Sequence, residues 1–432
     1  MNSLWEETAD HLTFESLNED IKTDVLIIGG GICGVLCAYM LHQAGINYAL
    51  VEPETIGSGI TKNTTAKITS QHGLIYDKLI GEFGVEKTKQ YLDANNAALK
   101  KYCELCRTID CNFEQKDAYV YSLENRTKIE KEIIALEKLG FQAEFAEALP
   151  LPFPVAGAVK FQNQAQFHPL KFISEISKGL RIYEHTNVCE LIGTKAITSH
   201  GTVQAKSIIV ATHFPFINKH GSYFIKMYQH RSYVIALENA PNVNGMYVDE
   251  AQKGMSFRNH QNLLLIGGGD HRTGKKGGNW QELRDFAKIH YPNATEKYNW
   301  ATQDCMTLDL VPYIGAYSSA TDGLYVATGF NKWGMTSSMA AATILSDLVQ
   351  DKEHPYMQVF SPSRNMLHPQ LAANALESVV NLLTPAAKRC PHLGCALKWN
   401  PDEHTWDCPC HGSRFTADGK LIDNPATGDL ED

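Results

Sequence analysis

The chain has 432 residues, 44% hydrophobic and 20% charged, with 39 Lys and Arg against 48 Asp and Glu. This is the composition of an ordinary soluble globular protein, with room for two or three domains. The net charge of −9 argues against nucleic acid as a general partner, since phosphate binding needs a basic surface. The basic stretch Arg272–Lys276 is a short island that reads as a solvated loop.

Residues 1–20 are acidic and lack the positively charged start of a secretory signal. Asp24-Val-Leu-Ile-Ile28 reads as a buried parallel strand, and Gly29-Gly30-Gly31-Ile32-Cys33-Gly34 follows it as G-x-G-x-x-G. Val35–Gln43 is helix-compatible, Ala44-Gly45 ends it, and a second apolar run, Tyr48–Val51, delivers Glu52 at its edge. Each part has a mechanical role in holding a dinucleotide. Gly29 permits the tight turn, Gly31 lets backbone approach a pyrophosphate, and Gly34 lets helix and strand pack closely. The helix N-terminus faces the phosphates, and Glu52 accepts from the adenosine ribose hydroxyls. Val25–Leu41 is uncharged enough to mimic a membrane span, but its four glycines suit the nucleotide reading better. The expectation is a cytoplasmic protein without an integral membrane segment.

Lys87–Thr108 reads as a helix carrying Cys103 and Cys106. This Cys-x-x-Cys suits a redox pair or structural thiols, and the helical setting favours the latter. Ser207–Thr212 reads as a strand returning to the first sheet, and Leu263–Gly269 as a strand ending in a glycine turn. Those glycines lack the helix and acid of a second nucleotide site. Pro369–Leu383 reads as an amphipathic helix, ended by Thr384-Pro385.

Beyond it stand Cys390-Pro-His392 and Cys408-Pro-Cys410-His411, with fifteen residues between them. Two thiolates and two imidazoles suit a [2Fe–2S] centre in which Cys390 and Cys408 hold one iron and His392 and His411 the other. Zinc also takes Cys2His2, although a finger groups its two Cys and its two His, whereas here each loop supplies one of each. A module of this size sits near the limit below which metals or partners are required. It is expected to lean on the rest of the chain and to be disordered without its cluster.

The runs C-P-H-L-G-C at 390–395, C-P-C-H-G-S at 408–413 and Asn424-Pro425-Ala426 resemble the Rieske family. The resemblance implies Cys390, His392, Cys408 and His411 as ligands, and a Cys395–Cys410 disulfide tying the loops together. Such a bond is unusual in a reducing cytosol. The resemblance also implies that Ser413 donates to a bridging sulfide. Phe415 stands where high-potential relatives carry Tyr. The missing donor would place the potential near the middle of the roughly −150 to +300 mV Rieske range, unless Phe415 simply packs. Rieske domains normally set several strands before the first ligand loop, and this chain leaves no room for them.

Asp24–Glu52 followed by Gly57–Lys67 resembles the FAD-dependent D-amino-acid oxidase/glycine oxidase-like (DAO) family. The likeness returns at Phe167-His168-Pro169, at Pro312–Gly315 and at Asp322–Met335, covering most of residues 20–365. It implies FAD contacts at Gly29, Gly31, Gly34, Glu52, Thr61, Thr65, Ala66, Gly329, Gly334, Met335 and Thr336. In that family the last segment is a strand turning into a helix whose N-terminus points at the flavin. The Met335 and Thr336 donors would then stabilise negative charge on the reduced ring. The implied fold is α/β (α+β overall): a Rossmann-like FAD-binding domain with a mixed-sheet substrate domain, plus a small all-β Rieske-type module. FAD-binding segments are expected at about 20–75, 155–215 and 310–365, and a substrate domain at about 76–154 and 216–310. A linker helix at 366–385 and the cluster module at 386–432 follow.

The whole chain resembles fusions of such an oxidoreductase with a Rieske domain. The implied activity is oxidation of a small amine, amino acid or hydroxy compound by hydride transfer to FAD, with single electrons relayed through the [2Fe–2S] cluster to a protein or small-molecule acceptor. Two other classes stay open: an NAD(P)H-driven reductase, and a flavin oxidase whose cluster is structural or sensory. No firm catalytic residue stands out. Arg231 and Tyr233 are candidates to hold a carboxylate, as is Arg258, with structural salt bridges equally open. His72 is a candidate to lie over the flavin, or to hydrogen-bond within the FAD loop.

Overall fold

The structure, a computed structural model, describes residues 3–10, 12–217 and 220–430. The outermost residues of the N-terminal segment and of the cluster module lie outside the described residues.

Strand β1 (Val25–Ile28) is buried on both faces, which is why it is a continuous apolar run and not an alternating one. It pairs in parallel with β2 (Tyr48–Val51) and with Ser207–Val210. The complete six-stranded sheet runs Tyr313–Ala316, Leu324–Thr328, Ser207–Val210, β1, β2, Ile182–Tyr183, with the Tyr313 edge strand antiparallel. Helices α1 (Ile32–Gln43) and α2 (Gly334–Leu348) pack together against it. Both N-termini point at the same large cavity.

A nine-stranded sheet forms the second body. One half is an antiparallel trio, β3 (Met227–Glu238), β4 (Leu263–Arg272) and β5 (Thr295–Thr307), with β3 in the middle. Ser256–His260, Met246–Asp249, Glu114–Ser122, Gly157–Gln166 and Lys67–Ile68 continue it. Two of these strands come from stretches expected in the FAD domain, 20–75 and 155–215, so the boundaries differ there. Lys67–Ile68 and Gly157–Gln166 pair with each other and carry the FAD-side chain into this sheet.

Local differences have physical reasons. The β4 strand does not end at its glycines but continues to Arg272. A Cβ at Gly267 would sit 2.7 Å from Ser256 Oγ and one at Gly269 3.1 Å from the Asn279 backbone, so the glycines let neighbours close in on a continuing strand. The helix around Cys103 starts earlier, at Tyr76, and breaks at Gly84, whose φ is +79°. Cys106 caps its end with its sulfur 3.6 Å from that of Cys111, so its sulfur neighbour is Cys111. The acidic N-terminal segment is structured too. Ser3 and Glu6 form a capping box over the turn Leu4–Glu7, which sinks Trp5 completely and lets its Nε1 donate to the Thr64 carbonyl at 2.7 Å.

Helix α3 (Pro369–Leu383) is amphipathic with its polar side inward: Asn374 and Asn381 are buried while Leu376, Val379, Val380 and Leu383 are exposed. Asn374 accounts for this, because it accepts from Arg272 Nη1 at 3.0 Å and donates to the Ile225 carbonyl at 3.2 Å. The cluster module that follows is a four-stranded antiparallel sheet, Lys398–Asn400, Thr405–Asp407, Arg414–Thr416 and Leu421–Asp423 in sequence order. All four strands come after the first ligand loop. No helix among the described residues is long and apolar enough to cross a membrane.

Candidate functional site: a cavity and a ligand cluster on two sides of one strand

A cavity of about 1100 Å³ runs from the glycine turn to the nine-stranded sheet and on to the cluster module. Its far end is a dinucleotide cradle. Gly29 has φ +109°, and a Cβ there would lie 2.6 Å from the Ala211 carbonyl oxygen, so only glycine makes this turn. A Cβ at Gly34 would run into the Gly29 carbonyl, which sets how closely α1 packs on β1. Glu52 is fixed by N–H donors from Gly30 (2.6 Å) and Glu54 (3.1 Å), and burial raises its pKa. The Thr61 hydroxyl accepts from Ile32 N–H at 3.0 Å, capping the first turn of α1. Gly29, Gly31, Glu52, Thr61, Thr65, Gly334 and Met335 line the cavity. Gly34, Ala66, Gly329 and Thr336 stand behind its wall. This arrangement fits a dinucleotide: backbone without side chains, a helix N-terminus and a fixed acid.

His72 lines the cavity, stacked on Trp333 at 5.1 Å. Its Nε2 faces the Thr69 carbonyl at 2.9 Å and so carries the proton, which leaves Nδ1 to accept from Tyr91 O–H at 2.6 Å. Burial lowers its pKa to about 3, so the ring is neutral. Thr336 is engaged in the same network, its hydroxyl donating to Thr69 O at 3.0 Å. His72 thus hydrogen-bonds to Thr69 within its own loop and to Tyr91 and Thr336 outside it.

Arg231 is taken, and Arg258 does not line the cavity. Arg231 forms a salt bridge with Glu403 of the cluster module, and Tyr233 O–H donates to the same carboxylate at 3.0 Å. Arg258 is fully buried, donating Nη1 to the Ala66 carbonyl at 2.8 Å and lying 5.4 Å from the Trp5 ring, while its Nε and Nη2 have no hydrogen-bond partner. Each reads as structural, and Arg231 and Tyr233 clamp a carboxylate of this chain.

In the module, Cys395 and Cys410 are joined as a disulfide. The sulfurs of Cys395, Cys408 and Cys410 lie within 4.8 Å of one another, but the disulfide consumes two of these three. Cys390 and Cys408 are buried in one small cluster, and the His392 and His411 rings lie 4.9 Å apart. His411 is 2% exposed, its Nδ1 is buried with no hydrogen-bond partner, and burial lowers its pKa to about 3. A neutral imidazole with an unclaimed nitrogen beside two thiols fits a metal centre. Ser413 Oγ is buried and accepts from Ala426 N–H at 3.0 Å. Phe415 is fully buried and packs among Cys390, Cys395, Cys408 and Cys410.

The second ligand loop is seated on the flavin side of the molecule. Gln229 Nε2 donates to the His411 carbonyl at 2.8 Å and to Asn424 O at 3.1 Å, and Gln303 Nε2 donates to Gly412 O at 2.9 Å. Arg272 donates to the carbonyls of Pro409 and Cys410 at 3.2 and 3.1 Å. A Cβ at Gly412 would lie 2.6 Å from the Gln229 side chain. Strand alternation explains the two-sided wall: on β3, Gln229 and Arg231 reach the module while Tyr228, His230 and Ser232 line the cavity. On β5, Gln303 reaches the module while Thr302, Asp304 and Met306 line the cavity. Leu421, Asp423, Asn424 and Ala426 of the module line it too. Sequence reasoning missed Gln229, His230, Gln303, Asp304 and Glu403. Period-two alternation in β3 was a signal for the first pair, whereas nothing local marked Glu403.

Comparisons with known proteins agree with this geometry. The profile of the family "FAD dependent oxidoreductase" (DAO) matches residues 24–348, and that of the "Rieske [2Fe-2S] domain" matches 382–432. The Bacillus subtilis (strain 168) protein YhfW, named as a Rieske 2Fe-2S iron-sulfur protein, is 36% identical across 99% of this chain and 96% of its own. Glycine oxidase from Geobacillus kaustophilus superposes with a TM-score of 0.66 at 21% identity, covering 80% of this chain and 99% of its own. L-proline dehydrogenase from P. horikoshii gives 0.68 at 18%, covering 81% and 98%. The protein belongs to the DAO family of FAD-dependent oxidoreductases and carries a C-terminal Rieske [2Fe–2S] domain.

Proposed function

We propose that the chain oxidises a small amine, amino acid or hydroxy compound and passes the electrons singly to an acceptor other than oxygen. When bound, FAD supplies hydride acceptance and the [2Fe–2S] cluster supplies one-electron transfer. The observation that carries this reading is β3, a single strand dividing the two sites: Gln229 holds the His411 carbonyl while its neighbours Tyr228 and His230 line the cavity. A cluster that served only as a staple would need no seat on the strand that walls the cavity.

In this reading Gly29, Gly31, Glu52, Thr61, Thr65, Gly334 and Met335 contact FAD, and Gly34, Ala66, Gly329 and Thr336 shape the backbone behind it. The cluster ligands are Cys390, His392, Cys408 and His411. The first-turn N–H groups of α2 have no partner within the helix and offer partial positive charge to the cavity. His72, neutral and held by three partners, positions Thr69 and Thr336 and does not act as a base. Hydride removal asks for orientation more than for an acid or base.

The test is anaerobic. Holoprotein is mixed with amines, amino acids and hydroxy acids while flavin bleaching and the EPR signal of the reduced cluster are followed together. Both are expected to change with the true substrate class. Bleaching without a cluster signal would make the cluster structural, and bleaching by NADPH alone would make the protein a reductase.

A further inference from the structure

The cavity's electrostatics narrow the substrate. Among its lining residues eight are Asp or Glu and two are Lys, with no arginine among the described ones. The two lysines are weak anion sites. Lys332 is committed to a salt bridge with Asp270. Lys67 donates to Thr65 Oγ1 at 3.1 Å, and burial together with neighbouring Arg258 lowers its pKa to about 7. Arg231 is committed to Glu403, and Arg258, whose Nε and Nη2 have no hydrogen-bond partner, is fully buried and does not line the cavity.

The sheet wall of the cavity carries a carboxylate of its own. His230 and Asp304 are direct cross-strand partners on β3 and β5, so their side chains stand on one face, and both line the cavity. The structure gives the Asp304 carboxylate no hydrogen bond or salt bridge, although Lys332 and Asp270 are close enough to influence it. Burial raises its pKa to about 6, so it remains mostly ionised at neutral pH. His230 is 4% exposed, and its Nδ1 is buried without a hydrogen-bond partner. Ser232 Oγ, two residues along the same strand face, is likewise unpartnered and lines the cavity. Buried polar atoms left open beside an unpaired carboxylate have a ligand's hydrogen bonds to make.

We propose that this wall binds the cationic nitrogen of an amine substrate, with Asp304 as counter-ion and His230 and Ser232 completing its hydrogen bonds, and that the cavity does not recognise a substrate carboxylate. The assignment rests on the reading that this cavity is where the substrate is oxidised, and it selects amines from the three classes named there. An ammonium offers donors only, which matches a carboxylate and an open imidazole or hydroxyl acceptor. A carboxylate placed on the same wall would face Asp304 at like charge.

The probes are tert-butylammonium and pivalate, which carry an ammonium and a carboxylate on the same tert-butyl group, titrated into oxidised holoprotein and read from the flavin absorbance spectrum. The ammonium is expected to give a saturating shift and pivalate none. Asp304→Asn should weaken tert-butylammonium at least tenfold at unchanged FAD content, and Asp304→Glu should restore part of the loss. Tighter pivalate than tert-butylammonium binding, in wild-type protein alone, overturns the proposal, as does Asp304→Asn binding the cation normally. Anaerobic reduction separates the two levels. Flavin bleached by amino acids but by no simple amine removes the cation site and keeps the oxidoreductase reading. Cation binding without bleaching by any amine, amino acid or hydroxy acid keeps the site and removes that reading.

Discussion

The flavin-binding body and the cluster module are held together by different means. The first is layered around extended apolar clusters, with Trp5, Tyr76, Tyr91, Tyr102 and Phe161 fully or almost fully buried. The second has a core of Cys390, Cys395, Leu397, Cys408, Cys410, Phe415 and Ala426, in which four of seven members are cysteines. In place of apolar layers it buries charge. Arg414 reaches Asp407 at 3.1 Å, Asp423 at 3.0 Å and Glu403 at 2.7 Å, and Glu403 is shared with Arg231 across the interface. A large body can fold on hydrophobic burial, whereas a small one needs covalent links, metal and a partner surface. The missing layer of strands is replaced by β3, β4 and β5 of the other body, through Gln229, Arg272 and Gln303.

That contrast is tested most severely by removing the cluster. Cys408→Ser, or chelation of iron, should leave residues 386–430 protease-sensitive while residues 20–365 keep their FAD and their resistance. Equal protection of the module in apo- and holoprotein, read by mass spectrometry of limited digests, would show that docking alone suffices.

A smaller effect is expected at the interface. Glu403→Ala leaves Arg231, 3% exposed, buried without its partner. Breaking a buried pair from one side costs about 3–5 kcal/mol. The loss should fall on the module transition, followed by cluster absorbance in urea, and leave the flavin transition in place. Adding Arg231→Met should recover part of it, because the stranded charge is then gone.

Acid should act last and least. Burial by itself would raise the Glu403 pKa, but Arg231 and Arg414 overrule it and hold it at about 2. Since the folded value lies below the ordinary glutamate value of about 4.3, the bridge contributes fully above that pH and is lost as pH falls towards 2. Hydrogen exchange across the module–body interface should therefore be unaffected by this pair from pH 8 to 5. An onset near neutrality would assign the docking to some other group.

Much of the molecule was legible without coordinates. The glycine turn, α1, β2 and Glu52 lie within thirty residues, and each has a local steric or electrostatic reason for its identity. The two Cys/His loops are as compact, and α3 ends at the residue its proline predicts. Arg231 was less legible: a buried arginine looks the same in sequence whether it grips a substrate or a partner 172 residues away. The inward Asn face of α3 and the continuation of β4 through its glycines also depend on neighbours distant in sequence.

The sequence by itself determined which groups the protein can hold, because phosphate cradles and metal loops are built from short runs whose backbone geometry and ligand chemistry are local. Tertiary structure decided where those groups meet. Register between β3 and β5 places His230 opposite Asp304 on one face and sends Gln229 and Gln303 to the other. Alternation along one strand separates Gln229 from His230, but which residues of different strands share a face follows from pairing between segments some seventy residues apart, and no local pattern encodes that.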